Sequence, residues 1–408
     1  MAKIDWKIYS LSYGDFITDK VLSFNFSFGR EKYLDTYSGN LLSVTINNVG
    51  DFASTIPYGS AIYVESYDGA SREYWQIFWV QEINYNDYPG DTGLSTATII
   101  CADWLSRAGR VQANALAIPQ TTITEQYAYF NSSAGGPLPS DMSITGTPVS
   151  NSIGSAITYT GTVTNYVNLG VTTERGYLVV FQDFIRLINR DRIGTYTPVT
   201  VQLGRTATSS QIGYQSFDRI QNGLQFINNS TITSTGVADQ NASNTTSVST
   251  YGTAFYSSQT VDYNATQANG NANWIVNVFD DPSALRFSCS FTDTAQNSTA
   301  MISLIHQMFW NAGTNRILTL NFQVPGGSPT STTVVLEGYS FSVTPQQTMV
   351  TFDMSPLLYY QFFTLDSTTL GVLGGEPIVY NQSEITYDES GWIYNDSNAD
   401  DTASRLGW

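Results

Sequence analysis

Apolar positions in the first hundred residues recur at every second place. Phe24, Phe26 and Phe28 fall on one face of the segment Val21 to Phe28, Leu42, Val44 and Ile46 repeat the period, and Ile62 and Val64 continue it. Successive side chains of an extended chain point to opposite faces, so this spacing predicts half-buried β-strands. Between them stand Gly39-Asn40, Tyr58-Gly59, Asp68-Gly69 and Pro89-Gly90, residues that supply the positive or preset φ of a reversal. Strand after strand at this spacing predicts a barrel or sandwich. After Ala102 the pattern changes, and Asp103 is placed to accept the first free amides of a short helix with Leu105 and Ala108 facing inward.

Residues 111–175 are rich in Thr, Ser, Asn, Gly and Pro and read as a loop-rich connection, with a second long loop over 228–250. Order returns at 176–188, where Tyr177 to Phe181 is a continuous apolar run suited to a strand buried on both faces. From Asp262 to Phe279 the spacing of Ala265, Ala268, Ala272, Ile275, Val276 and Phe279 is helical, although Gly270 weakens it. Met301, Leu304, Ile305 and Met308 would line one face of another helix. Strands are expected at 285–291, 316–324, 334–343 and 349–354, with Pro325-Gly326-Gly327 turning the chain. The segment 384–408 carries six acids against Arg405 alone and reads as an extended arm or frayed end.

Forty-one per cent of the 408 residues are hydrophobic, enough for two or three cores, while charged residues make up 12%. Lysine and arginine total 17 against 34 aspartates and glutamates, a net charge of −17, and the four lysines are Lys3, Lys7, Lys20 and Lys32. A nucleic-acid binder needs clustered cations to displace counterions from phosphates, so a specific DNA or RNA grip is not expected. An acidic surface suits nucleic acid as passing cargo, because like charge discourages sticking. No run approaches 18 apolar residues, and Met1 to Ser10 lacks a signal peptide's apolar stretch, so neither a membrane span nor secretion is predicted.

The chemistry a chain can perform is limited by its residues. His306 is the single histidine, and no G-x-S-x-G elbow accompanies it, so a histidine-assisted nucleophile is not assembled; a structural role is expected. Cys101 and Cys289 lie in apolar settings and predict buried free thiols; with one histidine they give no zinc spacing. Asp396, Asn398 and Asp400 begin like a calcium loop, but Asp401 replaces the needed Gly and Gly407 the bidentate Glu. The adjacent pairs Asp280-Asp281 and Asp400-Asp401 would face apart on a strand and read as turn and cap residues. Trp75, Trp79, Trp274 and Trp310 could stack on sugars, yet in an all-β chain they more often fill cores and interfaces. No catalytic, cofactor-binding or metal-ligating residue and no cofactor is assigned.

Gly29-Arg30, Leu34-Asp35, Tyr37, Gly39, Val44-Thr45-Ile46-Asn47-Asn48 and Asp51-Phe52 resemble the opening of the minor tail and baseplate hub proteins of tailed bacteriophages. Ala97 to Arg107 is similar to that family's strand entering a short helix at an Asp. Gly176 to Arg192, with Asn189-Arg190-Asp191-Arg192, is similar to its central strand pair, and Tyr251-Gly252 with the helix after Asp262 to its later helix. Phe352 to Pro356, Phe363 to Asp366 and Leu370 to Leu373 resemble its ending. One departure is Phe78-Trp79-Val80, where family members usually place a Gly.

The resemblance implies a mainly β chain: two tail-tube-like β-barrel domains joined by loop-rich subdomains with one or two short helices. The expected division is a first barrel at 1–112, a connecting subdomain at 113–215, a second barrel at 216–382 with a helix near 262–279, and an acidic arm at 383–408. It also implies a structural virion protein, made in the host cytoplasm, that acts as a hub at the distal tail end. Its partners would be copies of itself in a ring, most simply a trimer, the tail tube or distal tail protein, and tail fibre or tip proteins. Two other readings stay open: a receptor-binding or fibre protein holding host glycans, and a carboxylate glycosidase of envelope polysaccharide.

Overall fold

Six strands fill the first 102 residues: β1 (Asp5–Ser10), β2 (Val21–Gly29), β3 (Leu41–Asn47), β4 (Ala61–Asp68), β5 (Ser71–Asn86) and β6 (Thr96–Ala102). They pair antiparallel in the order β1-β4-β5-β6-β3-β2. Phe24, Phe26, Phe28, Leu42, Val44, Ile46, Ile62 and Val64 are all buried, as the period of two requires. The computed structural model describes residues 4–10, 18–68, 71–88, 94–146, 152–181, 184–193, 196–221, 226–280, 285–310 and 315–360. Beyond 360 it describes the strands Val372–Leu373, Glu376–Pro377, Ile385–Tyr387 and Trp392–Tyr394. Gly69, Pro89-Gly90, Phe363 to Asp366 and Leu370-Gly371 lie outside the described residues.

The short helix α1 (Trp104–Ala108) forms as expected, with Leu105 and Ala108 buried and Asp103 Oδ1 accepting from Ser106 N at 2.7 Å. Asp103 is 2% exposed and its Oδ2 has no partner. Burial lifts its pKa to about 6, against the two Ser106 hydrogen bonds that pull it down. The folded chain therefore keeps this proton to higher pH than the unfolded chain does, so stability is highest below the ordinary carboxylate pKa and falls as pH climbs towards 6. Asp103→Asn keeps the cap and removes the buried charge. It is expected to gain about 1–3 kcal/mol over the parent at pH 7.5 and to flatten the pH 4–6 slope in denaturant titrations. A parent slope unchanged by the substitution would defeat this.

Residues 112–188 form β7 (Gln112–Ile118), α2 (Ile123–Ala128), β8 (Ser143–Gly146), β9 (Ile157–Thr162), α3 (Val163–Glu174), β10 (Tyr177–Phe181) and β11 (Phe184–Ile188). This corrects the loop-rich reading of 111–175. The threonines that looked like linker are caps: Thr122 and Glu125 make a reciprocal capping box for α2, and Thr162 Oγ1 accepts from Asn165 N to start α3. Behind them Ile123, Tyr127 and Phe130, then Val163, Tyr166, Val167 and Val171, are buried at helical spacing. β10 pairs with β11, and Tyr177, Leu178, Val179 and Val180 are buried on both faces.

The later chain gives β12 (Ser216–Gln221), β13 (Asn229–Ser234), β14 (Val237–Ser243), α4 (Thr245–Tyr251), β15 (Phe255–Thr260), α5 (Ala265–Phe279), β16 (Leu285–Thr292), α6 (Ser298–Ile305), β17 (Ile317–Gln323), β18 (Pro329–Thr344) and β19 (Gln347–Pro356). The expected loop over 228–250 is instead a hairpin, β13–β14, turned at Gly236 (φ 80°), followed by α4 capped by Asn244. α5 starts at Ala265 because the Asn264 side chain accepts from Gln267 N. Ala268, Ala272, Ile275, Val276 and Phe279 are buried, whereas Ala265 is exposed and does not belong to the inward face. Met301, Leu304, Ile305 and Met308 are buried, along α6 and the π-helical turn that continues it.

The first and last parts of the chain share one sheet. β18 runs 16 residues; its first half pairs with β17, Gly338 to Val343 pairs with β2, and its other edge pairs with β19, which leads to β16 and β12. The sheet curls, because Trp6 on β1 donates from Nε1 to Thr348 Oγ1 of β19 at 2.9 Å, although six strands separate them in the sheet. The Trp6 ring stands edge-on to Phe24 and Phe341 at 5.5 and 5.4 Å, and Phe26 stacks on Phe341 at 5.1 Å. The result is a mainly β fold built on a curled half-barrel with an aromatic interior.

Residues Met1–Tyr360 form one compact unit and Gln361–Trp408 another. In the second, Val372–Leu373 pairs with Glu376–Pro377 and Ile385–Tyr387 with Trp392–Tyr394, so part of the stretch expected as an arm is a short hairpin.

Candidate functional site

Where β2 leaves β18, two glycines let the backbones meet. Gly29 has φ 103°, and a Cβ on it would stand 2.2 Å from Glu337 O; a Cβ on Gly338, its register partner, would stand 2.6 Å from Arg30 O. Arg30 N donates to Glu337 O at 3.1 Å across this gap. The approach sends the Arg30 side chain inward. Its Nε donates to Glu337 Oε2 at 2.7 Å, and Nη2 donates to Tyr360 Oη at 2.9 Å and Gly176 O at 3.3 Å. Tyr360 Oη donates in turn to Glu337 Oε1 at 2.7 Å. The guanidinium lies over the rings of Tyr33 and Tyr37, at 4.6 and 5.0 Å.

Burial alone would lower the Arg30 pKa, but Glu337 and the ring of tyrosines hold it well above the ordinary arginine value. The same burial pushes the phenols of Tyr33, Tyr37 and Tyr360 up, so all three stay neutral. Glu337 is 0% exposed, and an ion pair this deep persists only when every lone pair is met; both of its oxygens are.

The loop after Arg30 fastens three further elements. Tyr33 Oη donates to Arg175 O at 2.7 Å, at the end of α3. Asn168, also on α3, accepts from Tyr37 N at 2.7 Å and donates to Tyr37 O at 2.8 Å. Arg286 on β16 donates to Glu31 at 2.7 Å, near solvent. Gly39 has no positive φ; it is needed because a Cβ would stand 2.3–2.5 Å from Ser106 at the start of α1, so its expected turn role is corrected to close approach. The segment 29–39 is thus a junction between β2, β16, β18, α1 and α3. It brings no nucleophile to a base; it holds elements in place.

The residues weighed as chemistry do not gather. His306 is exposed at the end of α6, and Asp280 accepts from Asn244 Nδ2 near the end of α5. Trp79 is buried under the Arg107 guanidinium at 4.2 Å, and Trp274 is half-buried on α5. Neither is an open platform for a sugar. Asp281, Asp396, Asn398, Asp400, Asp401, and the side chains of Trp75 and Trp310 lie outside the described residues. Cys101 and Cys289 are buried and free, and burial pushes both thiols up, away from reactivity. Among the described residues no helix is long and apolar enough to cross a membrane.

Sequence reading missed Glu337, Tyr360, Tyr33 and Asn168. Glu337 carried a signal: it closes the apolar run Val334-Val335-Leu336 inside a strand, and a carboxylate buried there must have a cation.

No protein-family model and no curated protein matches the chain. Solved structures do share its fold. The 43 kDa tail protein of prophage MuSo2 from Shewanella oneidensis superposes with a TM-score of 0.56 at 12% identity, over 87% of this chain and 98% of that one. The tail protein from Neisseria meningitidis MC58 gives a TM-score of 0.59 at 9% identity, over 86% of this chain and 96% of that one. Matched over most of this chain and nearly all of each neighbour, the curled β-sheet places this chain in the fold of these tail proteins.

Proposed function

We propose that this chain is a structural protein of a phage tail, a hub at its distal end that joins the tail tube to tip or fibre proteins. In this reading it belongs to the virion, closes a ring with copies of itself, most simply three, and leaves a channel through which the genome passes. It performs no catalysis. The boundaries near 112, 215 and 382 belong to the same reading.

The observation that carries it is an unfinished surface on the curled sheet. Among the described residues β1 and β12 pair on one side only. At one end of the β2-β3-β6-β5 strands, Leu22, Val49, Tyr85, Tyr88 and Leu94 are all exposed. Register groups them: Tyr85 stands opposite Ala97, Ala97 opposite Ile46, and Ile46 opposite Val21, while Tyr88 N and Asn48 N both donate to Ser95. An exposed apolar rim at strand ends is stable when a neighbour covers it, and cyclic closure covers it in every copy.

Native mass measurement of the full chain at tens of micromolar is expected to give a closed oligomer. Tyr88→Lys with Leu94→Lys places like charges in the rim of each copy and is expected to weaken assembly at least 10-fold, with circular dichroism unchanged. A parent that stays monomeric, or an oligomer indifferent to both lysines, would overturn the ring.

A further inference from the structure

Beside the junction lies a cavity of about 70 Å³ between α3, α5, β13 and β15. One water needs roughly 10–15 Å³ of such space, so there is room for about five water-sized atoms. Val171, Ile232 and Ile275 make its apolar wall. Arg175, Asn271 and Trp274 stand on its polar side, and Arg30 and Asp35 also line it.

Two of these groups are buried without a partner among the described residues, and Arg175 is half-buried. Asn271 is 1% exposed; its Nδ2 donates to both oxygens of Asp262 at 3.0 and 2.8 Å, which leaves Oδ1 without a partner. Trp274 Nε1 is buried and has no acceptor. The Arg175 guanidinium lies 5.1 Å from the Trp274 ring, and among the described residues no carboxylate stands at ion-pair distance from it. Burial and then the neighbouring Arg190 lower the Arg175 pKa to about 9, against the opposing pull of Tyr33, Asp262 and Glu174.

The backbone adds a second sign. Arg175 ends α3 in the left-handed conformation, φ 53°, where Gly or Asn is usual. The glycine beside it is already committed, because a Cβ on Gly176 would stand 2.0 Å from Ile188 O. The strained turn therefore falls on the arginine, and strain of this kind collects at binding sites.

We propose that this cavity binds a small free carboxylate that carries a hydroxyl or amine on the adjoining carbon. The guanidinium fork takes the carboxylate, the Trp274 N–H takes an oxygen, and the ligand's own donor meets Asn271 Oδ1. This binding does not depend on the role in the tail.

The full-length chain is melted in rising sodium glycolate, sodium acetate or sodium chloride at equal ionic strength. Glycolate is expected to raise Tm saturably, by about 2 °C at ten times its half-saturating concentration. Acetate, lacking the donor, should need several-fold more, and chloride should do nothing. Arg175→Gln should abolish the shift, and Ser258→Leu, which keeps the arginine and fills the cavity, should abolish it too if the first variant does not fold. No saturable rise, a rise of equal potency with acetate, or a rise that survives the variant that folds would mean the cavity holds water and overturn the proposal.

Discussion

Glu337→Gln is expected to cost the fold about 3–5 kcal/mol, because it leaves the Arg30 charge buried 2.7 Å from a group that no longer neutralises it. For a chain of this length that is a fall of about 4–6 °C in Tm. Arg30→Met should cost a similar amount by stranding the carboxylate instead. The double variant Arg30→Met with Glu337→Leu should recover most of the loss, since an apolar pair of similar volume asks nothing of the surrounding tyrosines. With the single variant Glu337→Leu added to close the double-mutant cycle, denaturant unfolding should then show a coupling above about 2 kcal/mol. Single costs below about 1 kcal/mol that simply add would mean the pair is solvated and the junction is not what holds the sheet.

The energetic logic bears on assembly. In the proposed role the chain must transmit load between neighbours without its own halves sliding, so the curvature of its sheet has to be fixed from within. Arg30 supplies that fixation from within. It reaches β18 through Glu337, the turn before β10 through Gly176, and the end of the first unit through Tyr360. The aromatic faces of Tyr33 and Tyr37 seal the pair from water, which strengthens it.

How much of this was legible in the sequence depended on whether the signal was local. The period of two at Phe24, Phe26 and Phe28 and at Leu42, Val44 and Ile46 reports burial directly, so β2, β3 and β4 could be placed, and so could α1 from Asp103 and α5 from the helical spacing of Ala268, Ala272, Ile275, Val276 and Phe279. The segment 111–175 misled because Thr, Ser and Asn serve both linkers and helix caps; the capping box of Thr122 and Glu125 was present but sat in a polar background that hid the apolar spacing behind it. The junction was half legible. Gly29-Arg30, Tyr37 and Gly39 stood out through their family resemblance, but their partners, Glu337 and Tyr360, lie more than 300 residues away, and no local period announces so distant a pairing. The pairing of β2 with β18 was hidden for the same reason.

Gly29→Ala tests the junction from its backbone side and is expected to cost about 4 kcal/mol or more. Part of that is the φ of 103°, a region essentially reserved for glycine and worth about 1–3 kcal/mol by itself. The rest is collision: the new methyl would stand 2.2 Å from Glu337 O and 2.5 Å from Gly338 Cα, both backbone atoms that a side-chain rotation cannot move aside. β2 and β18 must therefore separate, which stretches the Arg30 N to Glu337 O bond and pulls the guanidinium off its partners. Gly59→Ala is the control. It too has positive φ, 78°, but nothing stands within 4 Å of its Cβ position, so its cost should stay near 1 kcal/mol. In the Glu337→Gln background the cost of Gly29→Ala should shrink, because both changes damage one structure and cannot damage it twice, whereas Gly59→Ala should cost the same in either background. Denaturant midpoints for the four combinations decide it: equal penalties at Gly29 and Gly59, or a Gly29 penalty untouched by the loss of the carboxylate, would show that the close approach and the buried pair are independent.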